Sequence, residues 1–247
     1  MPTLVVEVND LQKVYPGGKK ALKGLSFTVR EREIYGLIGP NGAGKTTTLR
    51  ILATILEPTS GTARIYGYDV KSEPEKVRRL IAYLPEEAGA YKYLTGLEFL
   101  DFIASFYAED EQAKRKMIQE AWKISGLGIR IKDKIKTYSK GMLRRLLIAK
   151  TLMIHPKLAI LDEPTSGLDV INSTRIRRII KKYAKEYGVT VLLSSHNMLE
   201  VEYLCDRVGI IHEGRVVAEG SPAELKKKYE AENLEDVFTK IVGGEEI

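Results

Sequence analysis

The stretch Gly39-Pro40-Asn41-Gly42-Ala43-Gly44-Lys45-Thr46, GPNGAGKT, matches the pattern G-x-x-x-x-G-K-[ST] in full. It follows an apolar run, EIYGLI, that reads as a strand, and it opens the run KTTTLRILATIL, which predicts a helix. Glycines let the backbone turn tightly and direct its N–H groups at an anion, and a helix N-terminus adds the positive end of a dipole. We therefore predict a phosphate-binding loop between this strand and this helix, rather than a chance glycine turn.

An acidic pair, Asp162 and Glu163, ends the later apolar run LAIL. In this type of site Lys45 reaches the β and γ phosphates, and we predict that Thr46 and Asp162 are ligands of Mg²⁺. Glu163 is placed to polarise a water molecule aimed at a γ-phosphate. A second carboxylate at the metal and a capping residue are the alternative interpretations of Glu163.

Short β-branched runs recur along the chain and predict strands. They are LVVEVND, LSFTV, EIYGLIG, TARIYG, IAYLP, LAILD, VTVLLSS, VGIIH and RVVAEG. EIYGLIG, LAILD and VTVLLSS are almost wholly apolar, as strands covered on both faces of a parallel sheet are. Residues from about 95 to 154 show no convincing strand and predict helices: GLEFLDFIASFY, EQAKRKMIQEAWKISG and one that follows Ser139.

The predicted fold is α/β, with a P-loop NTPase core around a mostly parallel sheet, an N-terminal antiparallel β part and an inserted helical subdomain. We predict a single domain, with core segments 1–86 and 156–225, a helical insert at about 87–155 and a short C-terminal helical tail at 226–247. NLEDVFTKIVGG predicts an amphipathic helix in that tail, stopped by Gly243 and Gly244.

Another amphipathic helix is predicted near residue 180. Its apolar stripe and the cations around it are Ile176, Ile179, Ile180, Tyr183, Arg175, Arg178, Lys181 and Lys182. One interpretation is a DNA-binding face. We favour a solvated helix whose apolar side packs on a sheet.

Composition limits the possible classes of protein. The 247 residues are 44% apolar and 29% charged, with a net charge of +6, which fits a phosphate-bearing partner or simply a well-solvated surface. Cys205 is the only cysteine, so an intrachain disulfide is impossible. We expect no signal peptide, because MPTLVVEVND lacks a basic region followed by an apolar one. We expect no membrane-spanning helix, because no apolar run approaches the roughly eighteen residues that one needs.

The order of motifs resembles that of the ATP-binding-cassette (ABC) ATPases over nearly the whole chain. The phosphate-binding loop is followed by YSKGM, LAILDEPTSGLD and LLSSH. YSKGM is similar to the family's LSGGQ signature, keeping Ser139 and Gly141 but departing at Lys140 and Met142. The resemblance implies that these four residues cap the γ-phosphate of an ATP molecule held by the opposite subunit.

The resemblance assigns further roles. It implies that ATP is bound by Tyr15, stacked on adenine, and by Gly39, Pro40, Asn41, Gly42, Ala43, Gly44, Lys45, Thr46 and Thr47. It places Asp169 in the D-loop between the two sites of a dimer and makes His196 the switch histidine at the γ-phosphate, catalytic with Glu163 and Lys45. The family's glutamine ligand of Mg²⁺ corresponds to Glu86, and we expect this carboxylate to keep the metal role but alter the Mg²⁺ dependence. Taken alone, Tyr15 would be a packing residue and His196 a capping or core residue; His155 and His212 match no motif and are predicted to be structural.

The resemblance implies an ATPase that powers a separate integral membrane permease, as a homodimer or a dimer with a paralogous ATPase, on the cytoplasmic face of the cell membrane. VVAEGSPAELKKKY with LEDVF resembles ABC-2-type exporters. The chain carries one cassette and no coiled-coil insertion, and we expect no nucleic-acid partner. A soluble ABC regulator of nucleic acid or ribosomes and a small-molecule kinase are the alternatives.

Aromatic residues cluster between Glu86 and Ser139, where the family docks its permease. We expect Phe99, Phe102 and Phe106 to fill the insert's own core, and Tyr91 and Tyr93 to be exposed. Tyr107 belongs to the same group.

Overall fold

The computed structural model describes residues 3–243, except for the side chains of residues 199 and 200. The strands are β1 (Leu4–Val14), β2 (Lys20–Arg30), β3 (Ile34–Ile38), β4 (Ser60–Ile65), β5 (Tyr68–Asp69), β6 (Ile81–Leu84), β7 (Leu158–Asp162), β8 (Thr190–Ser195), β9 (Arg207–His212) and β10 (Arg215–Gly220). The helices are α1 (Lys45–Leu52), α2 (Pro74–Arg78), α3 (Gly96–Ala104), α4 (Glu111–Ser125), α5 (Lys140–Leu152), α6 (Val170–Tyr187), α7 (Met198–Leu204), α8 (Pro222–Lys228) and α9 (Leu234–Val242), with short 3₁₀ turns at Gly128–Lys132 and Ile135–Thr137. All nine predicted strands are present, and the two-residue β5 was not predicted.

The strands form two sheets, as the predicted α/β class requires. The order β10-β9-β3-β8-β7-β6 makes a six-stranded sheet whose strands run parallel except for β10 at one edge. The order β2-β1-β4-β5 makes a four-stranded antiparallel sheet. Because parallel strands share one carboxyl edge, the residues that follow β3, β7 and β8 emerge side by side.

Side chains of the parallel sheet alternate between two cores, one on each face. Leu158 and Ile160 of β7 join a core that includes the antiparallel sheet and α1, whereas Ala159 and Leu161 join a core with α3, α5 and α6. Every residue of β3, β7 and β8 is buried. Their almost wholly apolar sequences therefore reflect burial on both faces.

Helix α6 carries the stripe predicted near residue 180. Ile176, Ile180 and Tyr183 are buried and Ile179 packs against the same core. The four flanking cations are exposed. The buried stripe is the packing that the solvated-helix interpretation predicts.

Helix α1 is shorter than predicted, because ATIL lies outside it. Thr54 has a left-handed φ of 60°. Its N–H donates to the Ile51 carbonyl at 2.9 Å, and the Ile55 N–H reaches back to the Arg50 carbonyl at 2.9 Å. This pair of bonds closes the helix as a Schellman motif does.

The prediction that Phe102 and Phe106 fill the core of the insert was wrong. Phe99 is buried, but Phe102 is 41% exposed and Phe106 is 69% exposed. Helix α3 buries the side that carries Phe99, so Phe102 lies on its outer side, and Phe106 lies beyond the end of the helix at Ala104. Phe102 packs edge-on against Phe106 at 5.1 Å and against Tyr91 at 5.5 Å between ring centroids. Tyr91 and Tyr93 are exposed, as predicted.

The C-terminal helix forms as α9, with Gly243 at its end. Gly244 and the rest of the predicted tail lie outside the described residues. The predicted start of the tail at residue 226 falls inside α8. Within residues 3–243, no helix has the length and apolar character needed to cross a membrane.

Candidate functional site

The predicted phosphate-binding loop connects β3 to α1. Gly44 has a φ of 111°, and a Cβ atom there would lie 2.8 Å from the carbonyl oxygen of Ala21, so glycine is required. Pro40, Asn41 and Gly42 are exposed. No side chain caps the N-terminus of α1. The first N–H groups of the helix are therefore left for an anion.

The three predicted catalytic residues meet beside this loop. Lys45, only 5% exposed, donates to the carbonyls of Gly39 at 2.8 Å and Pro40 at 3.2 Å. Its Nζ lies 3.4 Å from Oε1 of Glu163, which is 6% exposed. Oε2 of Glu163 lies 2.8 Å from Nδ1 of His196. One carboxylate thus contacts both the cation and the imidazole.

The backbone of Glu163 is in the left-handed region, with a φ of 45°. Its N–H donates to Oγ of Ser194 at 3.0 Å on the neighbouring strand β8. Non-glycine residues in this region are strained and persist where the surroundings hold them. The position of the carboxylate is therefore set by β8 as well as by β7.

The predicted metal ligands Thr46 and Asp162 are in contact. Oγ1 of Thr46 donates to Oδ1 of Asp162 at 3.2 Å, and Ser194 donates to the same oxygen at 2.6 Å. Burial raises the pKa of Asp162 above its usual value, in spite of these two hydrogen bonds, which lower it. The Tyr83 hydroxyl donates to Oδ2 at 3.4 Å, and burial together with the Asp162 charge raises the pKa of Tyr83 to about 12.

These oxygens fit Mg²⁺ bound together with a nucleotide. A hydroxyl and a carboxylate are hard ligands, and Mg²⁺ beside phosphates takes only one or two protein carboxylates. Among the described residues no group of three or more His, Cys, Asp or Glu side chains is arranged to hold a metal ion. The donors present therefore suit an ion that phosphate oxygens and water would complete.

Glu86 lies at the same cleft but not in the Thr46–Asp162 contact. It is exposed in the segment after β6, and its Oε1 accepts a hydrogen bond from Ser166 at 3.1 Å. Glu86 and Glu163 both line the cleft, so two carboxylates face it.

The cleft has a volume of about 410 Å³, and the residues lining it are Tyr15, Lys19, Ala21, Asn41, Gly42, Gly44, Lys45, Thr46, Thr47, Glu86 and Glu163. The Tyr15 hydroxyl lies 3.2 Å from Oγ1 of Thr47, which fixes the ring at the rim of the cleft. A larger cavity of about 620 Å³ lies between α4 and α6, but none of the predicted site residues lines it. The residues that line the smaller cleft, and not its volume, therefore identify it as the candidate site.

The signature-like turn lies apart from this cleft. Oγ of Ser139 caps α5 by accepting from the Met142 N–H at 3.2 Å, and Ser139 and Lys140 are exposed. Gly141 is buried, and a Cβ atom there would lie 2.5 Å from Cγ of Asn172. Of the described residues that line the cleft, none belongs to residues 139–142. One chain therefore holds the predicted site in two separate parts.

Asp169 joins the signature-like turn. It caps α6 by accepting from the Asn172 N–H at 2.9 Å and from the Asn172 amide at 2.6 Å. Since Asn172 also packs on Gly141, Asp169 and the signature-like turn are linked within one chain.

Sequence reasoning missed four residues at these sites: Tyr83, Arg144, Asn172 and Ser194. Ser194 pairs in register with Asp162 across β7 and β8, so aligning the carboxyl ends of two predicted parallel strands would have found it. Arg144 lies in a sequence run that is otherwise mostly apolar, and this position was the signal. The structure buries it there, and arginine is rarely buried without partners. His155 and His212, predicted to be structural, are not among the residues that line the cleft.

Comparisons with known proteins point to one family. The sequence model of the family described as ABC transporter matches residues 22–166, more than half of the chain. The daunorubicin/doxorubicin resistance ATP-binding protein DrrA of Streptomyces peucetius is 42% identical over 225 residues, covering 91% of this chain and 68% of that protein. The bacitracin transport ATP-binding protein BcrA of Bacillus licheniformis is 40% identical over 224 residues, covering 91% and 72%. The solved dimeric structure of a post-hydrolysis state of the ATP-binding cassette MJ0796 bound to ADP and Pi has a TM-score of 0.78 at 28% identity, covering 87% of this chain and 98% of that one.

Proposed function

The chain belongs to the ABC transporter family of ATP-binding proteins, and we propose that it is the subunit that powers a separate integral membrane permease, acting as an exporter. It is an ATPase that uses ATP with Mg²⁺, as the family does. The resistance and transport names of its relatives support export. The proposal also places the chain at the cytoplasmic face of the cell membrane.

The observation that carries the mechanism is the separation of the two halves of the site. Lys45, Asp162 and Glu163 meet at one cleft, whereas the exposed Ser139 begins another helix. An isologous dimer places the same patch of each chain against the other, so two copies can complete two sites together. We propose that each ATP molecule is held by the loop of one chain and by Ser139 and Gly141 of the other. The second chain is another copy or a paralogous ATPase.

The residues of the cleft divide the chemistry among them. Lys45 and the N-terminus of α1 would bind phosphate oxygens, and Thr46 and Asp162 would hold Mg²⁺, with Glu86 lining the same cleft. Bound Mg²⁺ would neutralise charge on the phosphate oxygens. As the water oxygen bonds to the γ-phosphorus and the bond from this phosphorus to the ADP oxygen breaks, Glu163 would accept the water's proton at one carboxylate oxygen, while His196 contacts the other.

Dimer closure would be driven by tighter binding of ATP to the closed state and released by hydrolysis. The exposed aromatic cluster of Tyr91, Phe102 and Phe106, together with the exposed Tyr107 next in the chain, is the proposed docking surface for the permease. Contiguous exposed apolar patches on soluble domains mark interaction sites. This cluster follows Glu86 in the chain, so docking and nucleotide contacts would be connected through one segment.

Complementation between variants tests the shared site. Lys45→Ala destroys the loop half and Ser139→Arg the signature half. In an equal mixture half of the dimers are mixed, and each mixed dimer keeps one intact site, so we expect about a quarter of the wild-type ATPase rate to return. A mixture of Lys45→Ala and Glu163→Gln is the matched control, because both changes damage the same half and no pairing restores a site. No recovery in the first mixture would contradict a homodimeric site.

A membrane pull-down tests the partner. Glu163→Gln is recovered from source-cell membranes with and without ATP and Mg²⁺, and co-purifying proteins are identified by mass spectrometry. A polytopic membrane protein is expected, and a paralogous ATPase would identify a heterodimer. Recovery of ribosomal or DNA-bound proteins instead would favour the soluble regulator.

A further inference from the structure

Arg144 is buried beneath the catalytic cleft. It lies in the first half of α5 and is only 8% exposed. Its guanidinium makes five hydrogen bonds, all to backbone carbonyl oxygens. Nε donates to Pro164 at 2.8 Å, Nη1 to Pro85 at 2.9 Å and Glu86 at 3.0 Å, and Nη2 to Asp162 at 2.8 Å and Glu163 at 2.9 Å.

These five acceptors belong to two segments at the carboxyl edge of the parallel sheet. One follows β6 and carries Glu86; the other ends β7 and carries Asp162 and Glu163. Each of the three residues predicted to supply a carboxylate to the site therefore has its own main chain bonded to one side chain. Burial lowers the pKa of Arg144, and the charges of Asp162, Glu86 and Glu163 oppose that shift.

Burying a cation contributes little to stability, because an apolar side chain of similar volume is often at least as stabilising. What a guanidinium adds is geometry: a planar, rigid fork of five N–H donors. Here that fork spans two separate segments at once. A lysine has a single nitrogen and cannot hold the same five acceptors.

The other end of the connection is the signature-like turn. Ser139 caps α5, and Arg144 lies five residues further along the same helix. We propose that Arg144 couples the two ATP sites of the dimer. It ties the helix end that contacts the partner's ATP to the segments that place Glu86, Asp162 and Glu163 around the chain's own ATP. The coupling rests on the shared site proposed above, and Arg144 acts in it as a positioning residue.

Arg145 provides a matched control. It is also 8% exposed and lies on the same helix, but its Nη1 donates to the carbonyls of Ser125 at 3.2 Å and Gly126 at 2.9 Å. It therefore binds the end of α4 and none of the catalytic segments. Arg144→Lys and Arg145→Lys remove the same fork from the same helix and differ in what the fork held.

The test measures ATP hydrolysis against ATP concentration for wild type, Arg144→Lys and Arg145→Lys, together with ATP affinity by equilibrium dialysis in a Ser139→Arg background. For Arg144→Lys we expect kcat to fall about 10²-fold, because a small misplacement of reacting groups has this cost. We expect its Hill coefficient to fall to about one, since coupling between sites is lost. The affinity of the monomer for ATP should change less than about twofold, because Arg144 makes no hydrogen bond to Lys45 or to the loop before α1. Arg145→Lys should keep the wild-type Hill coefficient.

Chemical rescue separates positioning from folding. In Arg144→Ala, added methylguanidinium should restore part of kcat and of the Hill coefficient, whereas methylammonium at the same concentration should not. An unchanged Hill coefficient in Arg144→Lys, or an equal fall in Arg145→Lys, would overturn the coupling while leaving complementation intact. A wild-type Hill coefficient of about one, together with no recovery of activity in the mixture of Lys45→Ala and Ser139→Arg, would instead overturn the shared site itself, and the coupling with it.

Discussion

Replacing Glu163 by glutamine isolates its role as a base, because the amide keeps the shape of the side chain. The glutamine oxygen can still accept from Nδ1 of His196, which now lies 2.8 Å from the carboxylate. Lys45 loses a partner at 3.4 Å but keeps the carbonyls of Gly39 and Pro40. We therefore expect Glu163→Gln to fold and to bind ATP.

The loss should fall on hydrolysis. A positioned base is worth about 10²–10⁴ in rate, or about 2.7–5.5 kcal/mol at about 1.36 kcal/mol for each factor of ten. Removing a negative charge should also tighten ATP binding, because Glu86 and Glu163 both line the cleft proposed to receive the phosphates. The variant should consequently accumulate as the ATP-bound dimer.

Phosphate release under saturating ATP and Mg²⁺ gives the rate, and light scattering after size-exclusion chromatography gives the mass with and without ATP. Glu87→Gln is the control, since Glu87 is an exposed carboxylate that does not line the cleft, and it should behave as wild type. Hydrolysis by Glu163→Gln within about tenfold of the wild-type rate would refute the assignment of Glu163 as the base.

Three further predictions concern the metal and the base of the nucleotide. Asp162→Asn should abolish Mg²⁺-dependent hydrolysis yet raise Tm at pH 7 without nucleotide, because burial raises the pKa of Asp162 and so disfavours its charged form. This gain in Tm should shrink as the pH falls through the raised pKa and wild-type Asp162 becomes neutral, which thermal unfolding across pH would show. Glu86→Gln should shift the Mg²⁺ concentration for half-maximal hydrolysis, and superimposable titrations for the two proteins would rule out a metal role. Tyr15→Ala should weaken ATP binding by about 1–3 kcal/mol, which is the usual contribution of stacking on a nucleotide base. Tyr15→Phe removes only the hydroxyl that contacts Thr47, so it should weaken binding less. Titration calorimetry of ATP binding compares the two variants.

The sequence predicted the parts of the fold that depend on local pattern. The runs that became β3, β7 and β8 are almost wholly apolar, and burial of every residue in them explains why. The loop before α1 follows from glycines at close approaches and a lysine at the helix start. The meeting of this loop with Asp162 and His196 follows from one rule, that parallel strands share a carboxyl edge.

The parts that the sequence did not predict depend on distant packing or on unusual backbone. A threonine in the left-handed region ends α1 at a point where its apolar pattern continues. Phe102 and Phe106 have the spacing of core residues, and only the position of α3 in the insert shows that they face outward. The partners of Arg144 lie 18 to 59 residues away and are backbone atoms, which carry no sequence signal.

YSKGM keeps the signature residues whose identity the turn requires and departs from the signature where other residues fit. Ser139 is retained where its side chain caps α5, and Gly141 is retained where a Cβ atom would collide with Asn172. Lys140 departs at an exposed position, and Met142 departs where the turn uses its N–H group and its side chain packs against the core. Gly141 is thus needed by the packing of its own chain before any partner is considered. It follows that Gly141→Ala would damage the contact with Asn172 and Asp169 as well as a shared ATP site, whereas Ser139→Arg adds bulk at an exposed position and tests the shared site more directly.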